Sequence, residues 1–150
     1  MGGLNYPTST ELVLIGTKSG TTLTPVTLES TYQTESTTVA TKTFETGLMS
    51  RVEFLIKYTM GATETSNSIE VKIEGSNDGT NFYQVMNDST SAGTSTLTKR
   101  EFTYVGVNAA ASLVNFGVDI AYLKLRISIK ETGVVTNKGT VSVEALISGK

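Results

Sequence analysis

The stretch Ser68–Val85, "SIEVKIEGSNDGTNFYQV", contains two strand-like segments joined by a polar apex. In its first half Ile69, Val71 and Ile73 alternate with charged residues, and a period of two is typical of a β-strand with one buried face. The apex, residues 76–81, concentrates the Asn, Asp and Gly residues that form tight turns. The stretch therefore predicts a β-hairpin between antiparallel strands.

The same alternation recurs in "SRVEFLIKYT", "AYLKLRISIK" and "TVSVEALIS", with Leu55 as an exception in the first. The segment "VNAAASLVNFGVD" also breaks the pattern, and it is predicted as a loop with one helical turn. Turn signals return about every 8–12 residues, which is typical of sandwiches and barrels. The sequence predicts an all-β fold, an antiparallel β-sandwich that is jelly-roll-like and has about eight strands.

The first ten residues, "MGGLNYPTST", are polar and glycine-rich. They predict an extended N-terminal arm (1–10) in front of a single β-sandwich domain (11–150). Such a segment cannot bury itself, so we expect it to become ordered on a neighbouring subunit, with Leu4, Tyr6 and Pro7 as contacts. The segment lacks the basic and apolar regions of a secretory signal, so synthesis in a host cytoplasm without a signal peptide is expected.

The composition excludes several kinds of chemistry. The chain has no cysteine and no histidine, which removes thiol nucleophiles, imidazole acid–base catalysis and zinc sites of the usual kind. Its net charge is -2 and no basic run occurs, so nucleic acid is not an expected partner. No apolar run approaches the roughly 20 residues that span a bilayer, so no membrane partner is expected. We expect a non-enzymatic protein without a cofactor.

The hairpin apex is a weak candidate for a metal site. Asn77, Asp78 and Asn81 could offer side-chain oxygens to a calcium ion. Calcium takes six to eight oxygens, usually from more than one carboxylate, and only Asp78 supplies a local charge. The same residues form side-chain-to-backbone turns, so a structural turn is the favoured interpretation and no metal is assigned.

Two tyrosines are candidates for partner contact. Tyr83 follows Phe82, so the two side chains must point to opposite faces of their strand. Tyr122 falls on the polar face of the alternating pattern in "AYLKLRISIK". Both could form an exposed platform for a carbohydrate, although the chain has no tryptophan. Partial burial at an edge is the competing interpretation.

The hairpin, "AYLKLRISI" and "GTVSVEALISG" together resemble β-sandwich domains of tailed-phage virion proteins. The hairpin residues that match are Ser76, Asp78, Gly79, Asn81 and Phe82. The hairpin and the "YLKLRI" strand are also similar to discoidin-like sandwiches, which bind sugars and lipids, although this chain lacks their cysteine pair and tryptophan. The resemblance covers residues 50–148.

The resemblance implies a structural protein of the virion. The expected function is that of a capsid decoration or cement subunit, which stabilises the shell through contacts between subunits. Its expected partners are other copies of itself, in a homo-oligomer such as a trimer, and the major capsid protein or another virion protein. Two alternatives remain open: a carbohydrate- or surface-binding module, and a structural subunit of a tail, neck or filament.

Overall fold

The computed structural model describes residues 9–47, 49–91, 94–99, 101–105, 111–133 and 136–148; for 9–10, 86–91, 94–99 and 101–105 this covers the backbone alone. These residues form strands and loops without a helix, so none of them belongs to a helix that could cross a bilayer. The strands are β1 (Ser9–Ile15), β2 (Thr17–Ser19), β3 (Thr22–Thr24), β4 (Val26–Thr27), β5 (Thr41–Glu45), β6 (Arg51–Thr59), β7 (Ser68–Ser76), β8 (Tyr83–Gln84), β9 (Met86–Ser91), β10 (Thr94–Lys99), β11 (Glu101–Val105), β12 (Ala111–Asp119), β13 (Lys124–Thr132) and β14 (Thr140–Ser148).

Two five-stranded antiparallel sheets form the body of the protein. The first sheet has the order β1, β14, β6, β12, with the short strand β4 beside β14. The second has the order β11, β7, β13, β5, with β8 beside β7. Strands β2 and β3 form a separate hairpin, as do β9 and β10. The predicted all-β antiparallel sandwich is confirmed.

The described residues form fourteen strands where about eight were predicted, because short strands and a second hairpin add to the eight longest strands of the two sheets. Numbered along the chain, these eight lie in the order 1, 8, 3, 6 in the first sheet and 5, 4, 7, 2 in the second. Two interlocked Greek keys produce this kind of order. The order favours the jelly-roll path that the spacing of turns predicts.

The core lies between the two sheets. Phe44 of β5 and Phe54 of β6 meet edge to face across it, with ring centroids 6.0 Å apart. Each buried aliphatic or aromatic side chain contributes roughly 1.5–3 kcal/mol by leaving water. The inward residues of the four central strands are Val52, Phe54, Ile56, Tyr58, Ile69, Val71, Ile73, Leu125, Ile127, Ile129, Val141, Val143, Ala145 and Ile147. All of them follow the predicted alternation.

The predicted alternation of buried and exposed residues is wrong just before β13. Ala121 and Leu123 were expected to point inward with Leu125, but both are exposed. The reason is that β13 begins at Lys124, so the two residues before it belong to a loop. The backbone N–H of Thr46 donates to the carbonyl of Leu123, which fixes this loop beside the end of β5.

The segment "ASLVNFGVD" is strand β12, so the prediction of a loop with a helical turn is wrong. It pairs with β6 along its whole length, from Ala111 opposite Thr59 to Asp119 opposite Arg51. Its inner face does alternate: Ser112, Val114, Phe116 and Val118. Because Ser112 is buried and Leu113 is exposed, the hydrophobic residues of this segment do not show a period of two.

The predicted boundary of the N-terminal arm is two residues too late. Ser9 and Thr10 already belong to β1, where they pair with Ser148 and Ile147. The remaining arm, residues 1–8, lies outside the described residues, and so do the predicted contacts Leu4, Tyr6 and Pro7.

Candidate functional site

The hairpin apex is organised around one carboxylate. Asp78 Oδ1 accepts hydrogen bonds from the backbone N–H groups of Thr80 and Asn81, at 2.8 and 2.7 Å. Asp78 Oδ2 accepts from the Asn81 side-chain amide at 2.7 Å, and the Ser76 hydroxyl donates to Oδ1 at 3.0 Å. These bonds, led by that from the Asn81 N–H, hold the pKa of Asp78 well below its usual range. The carboxylate is thus engaged within the turn.

The neighbouring apex residues Asn77 and Gly79 also stabilise the turn through the backbone. The Asn77 side-chain oxygen accepts from the N–H of Leu123 at 3.2 Å, which ties the apex to the loop before β13. Gly79 adopts a φ of 75°, a conformation that glycine tolerates best. Within the described residues, no group of three acidic side chains could hold a metal ion. The geometry favours the turn interpretation for Asn77, Asp78 and Asn81.

The two candidate tyrosines have different environments. Tyr83 lies in β8 and exposes 68% of its surface. Tyr122 precedes β13 and packs against the core, so its predicted place on a polar strand face is wrong. Its ring covers Gly75, where a Cβ atom would lie 2.3 Å from Tyr122 Cδ2. Contact of either tyrosine with a partner stays a prediction.

The outer face of the first sheet carries three exposed leucines, Leu55, Leu113 and Leu146, which we call the leucine face. Leu113 exposes 78% of its surface, Leu55 45% and Leu146 40%. Leu55 lies opposite Asn115 of β12 and Glu144 of β14, so Leu113 and Leu146 are its diagonal neighbours. Diagonal pairs are within reach of long side chains. The leucines therefore form one surface.

The β2–β3 hairpin forms one wall of this surface. Lys18 Nζ pairs with Glu11 of β1 at 2.6 Å and Glu144 of β14 at 2.8 Å, which holds the hairpin over the sheet. The pKa of Glu11 is lowered by its hydrogen bond with Lys18. A groove of about 370 Å³ remains between Leu23, Leu55 and Leu113. It is lined mainly by carbon atoms.

The outer face of the second sheet has the opposite character. Oppositely charged residues face each other on β7, β13 and β5: Lys124 and Glu45 at 2.9 Å, Arg126 and Glu74 at 2.9 Å, Lys130 and Glu70 at 2.8 Å. Pairs near the surface, such as Lys124–Glu45, contribute little to stability, about 0–1 kcal/mol each, whereas the Glu74 side chain is only 11% exposed. The pairs keep this face charged yet locally neutral.

A buried polar pair joins the two sheets. The Tyr58 hydroxyl donates to Glu131 Oε1 at 2.7 Å, and Glu131 Oε2 accepts from the backbone N–H of Gly139 at 2.8 Å. Tyr58 and Glu131 are 0% and 1% exposed. Burial, and then the bond with Glu131, raises the pKa of Tyr58. Both carboxylate oxygens have partners and no solvent reaches the pair, so its arrangement suits a structural role.

Sequence reasoning missed the leucine face. Leu55 was noted as an exception to its strand, but Leu113 was assigned to a loop, and Leu146 was not singled out. The signal was available in the register: each of these leucines is out of phase with the buried set of its own strand. One such residue is ordinary on a surface, whereas three on adjacent strands form a contiguous exposed apolar patch.

Comparison with known proteins gives a fold likeness alone. No family model matches the sequence, and no curated protein is significantly similar. Among solved structures, the crystal structure of the SPBc2 prophage-derived protein YomS superposes with a TM-score of 0.51 at 12% sequence identity. The superposition covers 99% of this chain and 100% of YomS. The two proteins share a fold over their whole length.

Proposed function

We propose that the protein is a non-enzymatic structural subunit of a bacteriophage particle, of the head decoration or cement type. The likeness to a prophage-derived protein of the same fold and length supports the phage assignment. The observation that carries the structural role is the leucine face, because an exposed apolar surface of adjacent residues is typical of a protein–protein interface.

The leucine face borders a sheet edge that no strand of the described residues covers. Strand β12 is nine residues long, and its only charged residue is Asp119 at one end. In the described part of the chain, β12 pairs with β6 on one side and with no strand on the other. Natural proteins usually guard such edges with charges, prolines or bulges. An open edge beside exposed leucines favours pairing with another chain.

The occupant that suits this edge best is a second copy of the protein. Antiparallel pairing of two β12 strands about a two-fold axis at Asn115 places Leu113 opposite Gly117 of the other copy. The same register places Asp119, which pairs with Arg51 of β6, opposite Ala111, so no like charges lie directly opposite each other in the paired strands. A two-fold contact uses the same surface on both copies and closes on itself. The arrangement favours a dimer over the trimer that the resemblance implies.

Charge substitution tests this assembly. Leu113→Asp places a carboxylate two residues from the two-fold axis at Asn115 and is expected to convert dimers to monomers in size-exclusion chromatography with light scattering. Leu123→Asp is the matched control, because Leu123 is also an exposed leucine but lies in the loop before β13. A Leu113→Asp variant that is still dimeric would contradict the proposed interface through β12.

Electron microscopy tests the place in the particle. Purified protein is added to phage heads that lack their decoration subunit, and the heads are imaged with and without it. A decoration subunit adds regular density to the outside of the head. Binding to tails or necks alone would contradict the head assignment and favour the tail alternative, while a failure to bind any particle would contradict the virion role.

A further inference from the structure

A second surface lies on the other side of the molecule, away from the leucine face. Residues 32–35 cross the outer face of the second sheet without regular secondary structure. The Tyr32 ring packs against the ammonium groups of Lys72 and Lys130, with distances of 4.6 and 4.9 Å to the ring centroid. Glu35 pairs with Lys42 at 3.3 Å. Between this segment and the sheet lies a cleft of about 290 Å³, which we call the polar cleft.

The charged groups of the polar cleft are held in place by one another. Glu74 Oε2 lies 2.9 Å from Arg126 Nε and 3.5 Å from Lys72 Nζ. The guanidinium of Arg126 stacks on the Phe82 ring at 4.0 Å. Only 11% of the Glu74 side chain is exposed. Groups fixed in this way would lose little further freedom when a ligand binds.

The base of the cleft contains a hydroxyl with an unmet hydrogen bond. Thr41 lines the cleft and is 3% exposed, and its Oγ1 has no hydrogen-bond partner among the described residues. Ser128 lies directly opposite Thr41 in the sheet and is also buried. Buried polar groups are nearly always paired, so an unpaired one calls for an explanation. The Thr41 oxygen is closed to solvent, so it forms a polar floor beneath the cleft and does not itself contact a ligand.

The chemistry of the lining restricts the ligand. Lys72 and Arg126 are balanced by Glu35 and Glu74, so an anion would meet two carboxylates and a cation two positive groups. The other lining groups are hydroxyls and the side-chain amide of Gln33, whose nitrogen donates to the carbonyl and hydroxyl of Thr31 and whose oxygen can accept. Neutral molecules with many hydroxyls match such a surface. The volume is at the lower end of the roughly 300–1,000 Å³ of ligand sites, which suits one sugar ring.

We propose that the polar cleft binds a neutral sugar residue of a glycan, with vicinal hydroxyls bound by Glu74 and Arg126 and a further hydroxyl by Gln33. This places a carbohydrate site on the second sheet rather than at Tyr83 and Tyr122, where the sequence suggested a platform. A particle subunit that presents such a cleft could hold a host surface. The site does not depend on the leucine face.

Glycan binding tests the proposal directly. The purified protein is applied to a glycan array, and the best neutral glycan is then titrated in solution by calorimetry. We expect binding that Gln33→Ala weakens by about tenfold or more, through loss of a hydrogen-bonding side chain. Tyr83→Ala is the control and should bind as the unaltered protein does. Amide NMR shifts on titration should centre on residues 32–35, 72–74 and 126–128.

Two results would overturn the proposal. One is the absence of binding to any neutral glycan on the array. The other is glycan binding that Tyr83→Ala abolishes and Gln33→Ala leaves unchanged. That result would place the carbohydrate site at the exposed Tyr83. The Leu113→Asp variant separates the two proposals, because it should lose self-association and keep glycan binding.

Discussion

The hydroxyl of Tyr58 in β6 and the carboxylate of Glu131 in β13 form a 2.7 Å hydrogen bond between the two sheets, away from solvent. Replacing Tyr58 by Phe keeps the ring but leaves Glu131 Oε1 without this donor. Because a buried acceptor that loses its partner costs about 1–3 kcal/mol, we expect the free energy of unfolding to fall by that amount. Urea denaturation measures it, with the exposed Tyr83→Phe as control. An equal, small effect of both substitutions would contradict the account.

Tyr58 also predicts a dependence of stability on alkaline pH. Burial raises its folded-state pKa above the unfolded value of about 10. The contribution of the neutral phenol is therefore complete below about pH 10 and is lost as the pH rises from there towards the folded-state pKa. The unfolding temperature of the unaltered protein should fall more steeply above pH 10 than that of Tyr58→Phe. Parallel curves for the two proteins would contradict this.

Asp78 predicts the opposite dependence at acidic pH. Its folded-state pKa is lowered, led by the hydrogen bond from the Asn81 N–H, so its contribution is complete above the unfolded value of about 3.9. It is lost as the pH falls below that value towards the folded-state pKa. Asp78→Ala should therefore lower the melting temperature at pH 7, and the difference from the unaltered protein should shrink towards pH 2.

The Asp78→Ala variant also tests whether the hairpin apex is a structural turn or a metal site. Calcium added to the unaltered protein should leave its melting temperature unchanged, because the Asp78 oxygens are already bonded to Ser76, Thr80 and Asn81. A rise in melting temperature with calcium that Asp78→Ala removes would show that the apex is a metal site after all.

Gly139 is expected to tolerate no side chain. A Cβ atom there would lie 2.7 Å from Glu131 Oε1 and 2.8 Å from the carbonyl oxygen of Thr59. Since the backbone cannot move away cheaply, Gly139→Ala should destabilise the protein by roughly 1–3 kcal/mol. Gly20→Ala is the control: it also loses a glycine, at a φ of 59°, but has nothing within 4 Å of the added atom. A smaller loss for Gly139→Ala than for Gly20→Ala would contradict the contact.

The core residues could be predicted from the sequence because the alternation of hydrophobic and polar residues is visible within each single strand. Val52, Phe54 and Ile56 bury one face of β6 by simple alternation, and the same holds for β7, β13 and β14. Strand β12 was not predicted as a strand because Ser112 faces inward and Leu113 faces outward. Its hydrophobic residues therefore do not alternate with its polar residues. Its burial is decided by pairing with β6, a contact between residues far apart in the sequence.

The candidate sites were harder to predict for the same reason. The leucine face brings together residues of β6, β12 and β14, and the polar cleft joins Gln33 and Thr41 to Glu74 and Arg126. None of these residues forms a motif with its chain neighbours. The apex around Asp78, by contrast, is a contiguous turn, and its structural interpretation could be derived from six adjacent residues.

The N-terminal boundary leads to a sharper truncation experiment. Deleting residues 1–8 removes most of the predicted arm but spares Ser9 and Thr10, which pair with β14. If the arm contacts a neighbouring subunit in the particle, this deletion should abolish particle binding and leave the melting temperature of the isolated domain unchanged. Full particle binding by the shortened protein would contradict a role for the arm.

The central claim, that two copies pair through β12, is tested most directly by a single cysteine at Asn115. The chain has no cysteine of its own, and residues directly opposite each other in an antiparallel pair lie within the distance that a disulfide spans. Glu45→Cys, an exposed position on the edge strand β5, is the matched control. Under mild oxidation the account predicts a disulfide-linked dimer for Asn115→Cys and monomers for Glu45→Cys on a non-reducing gel. Monomers for Asn115→Cys, or equal crosslinking of the two variants, would contradict it.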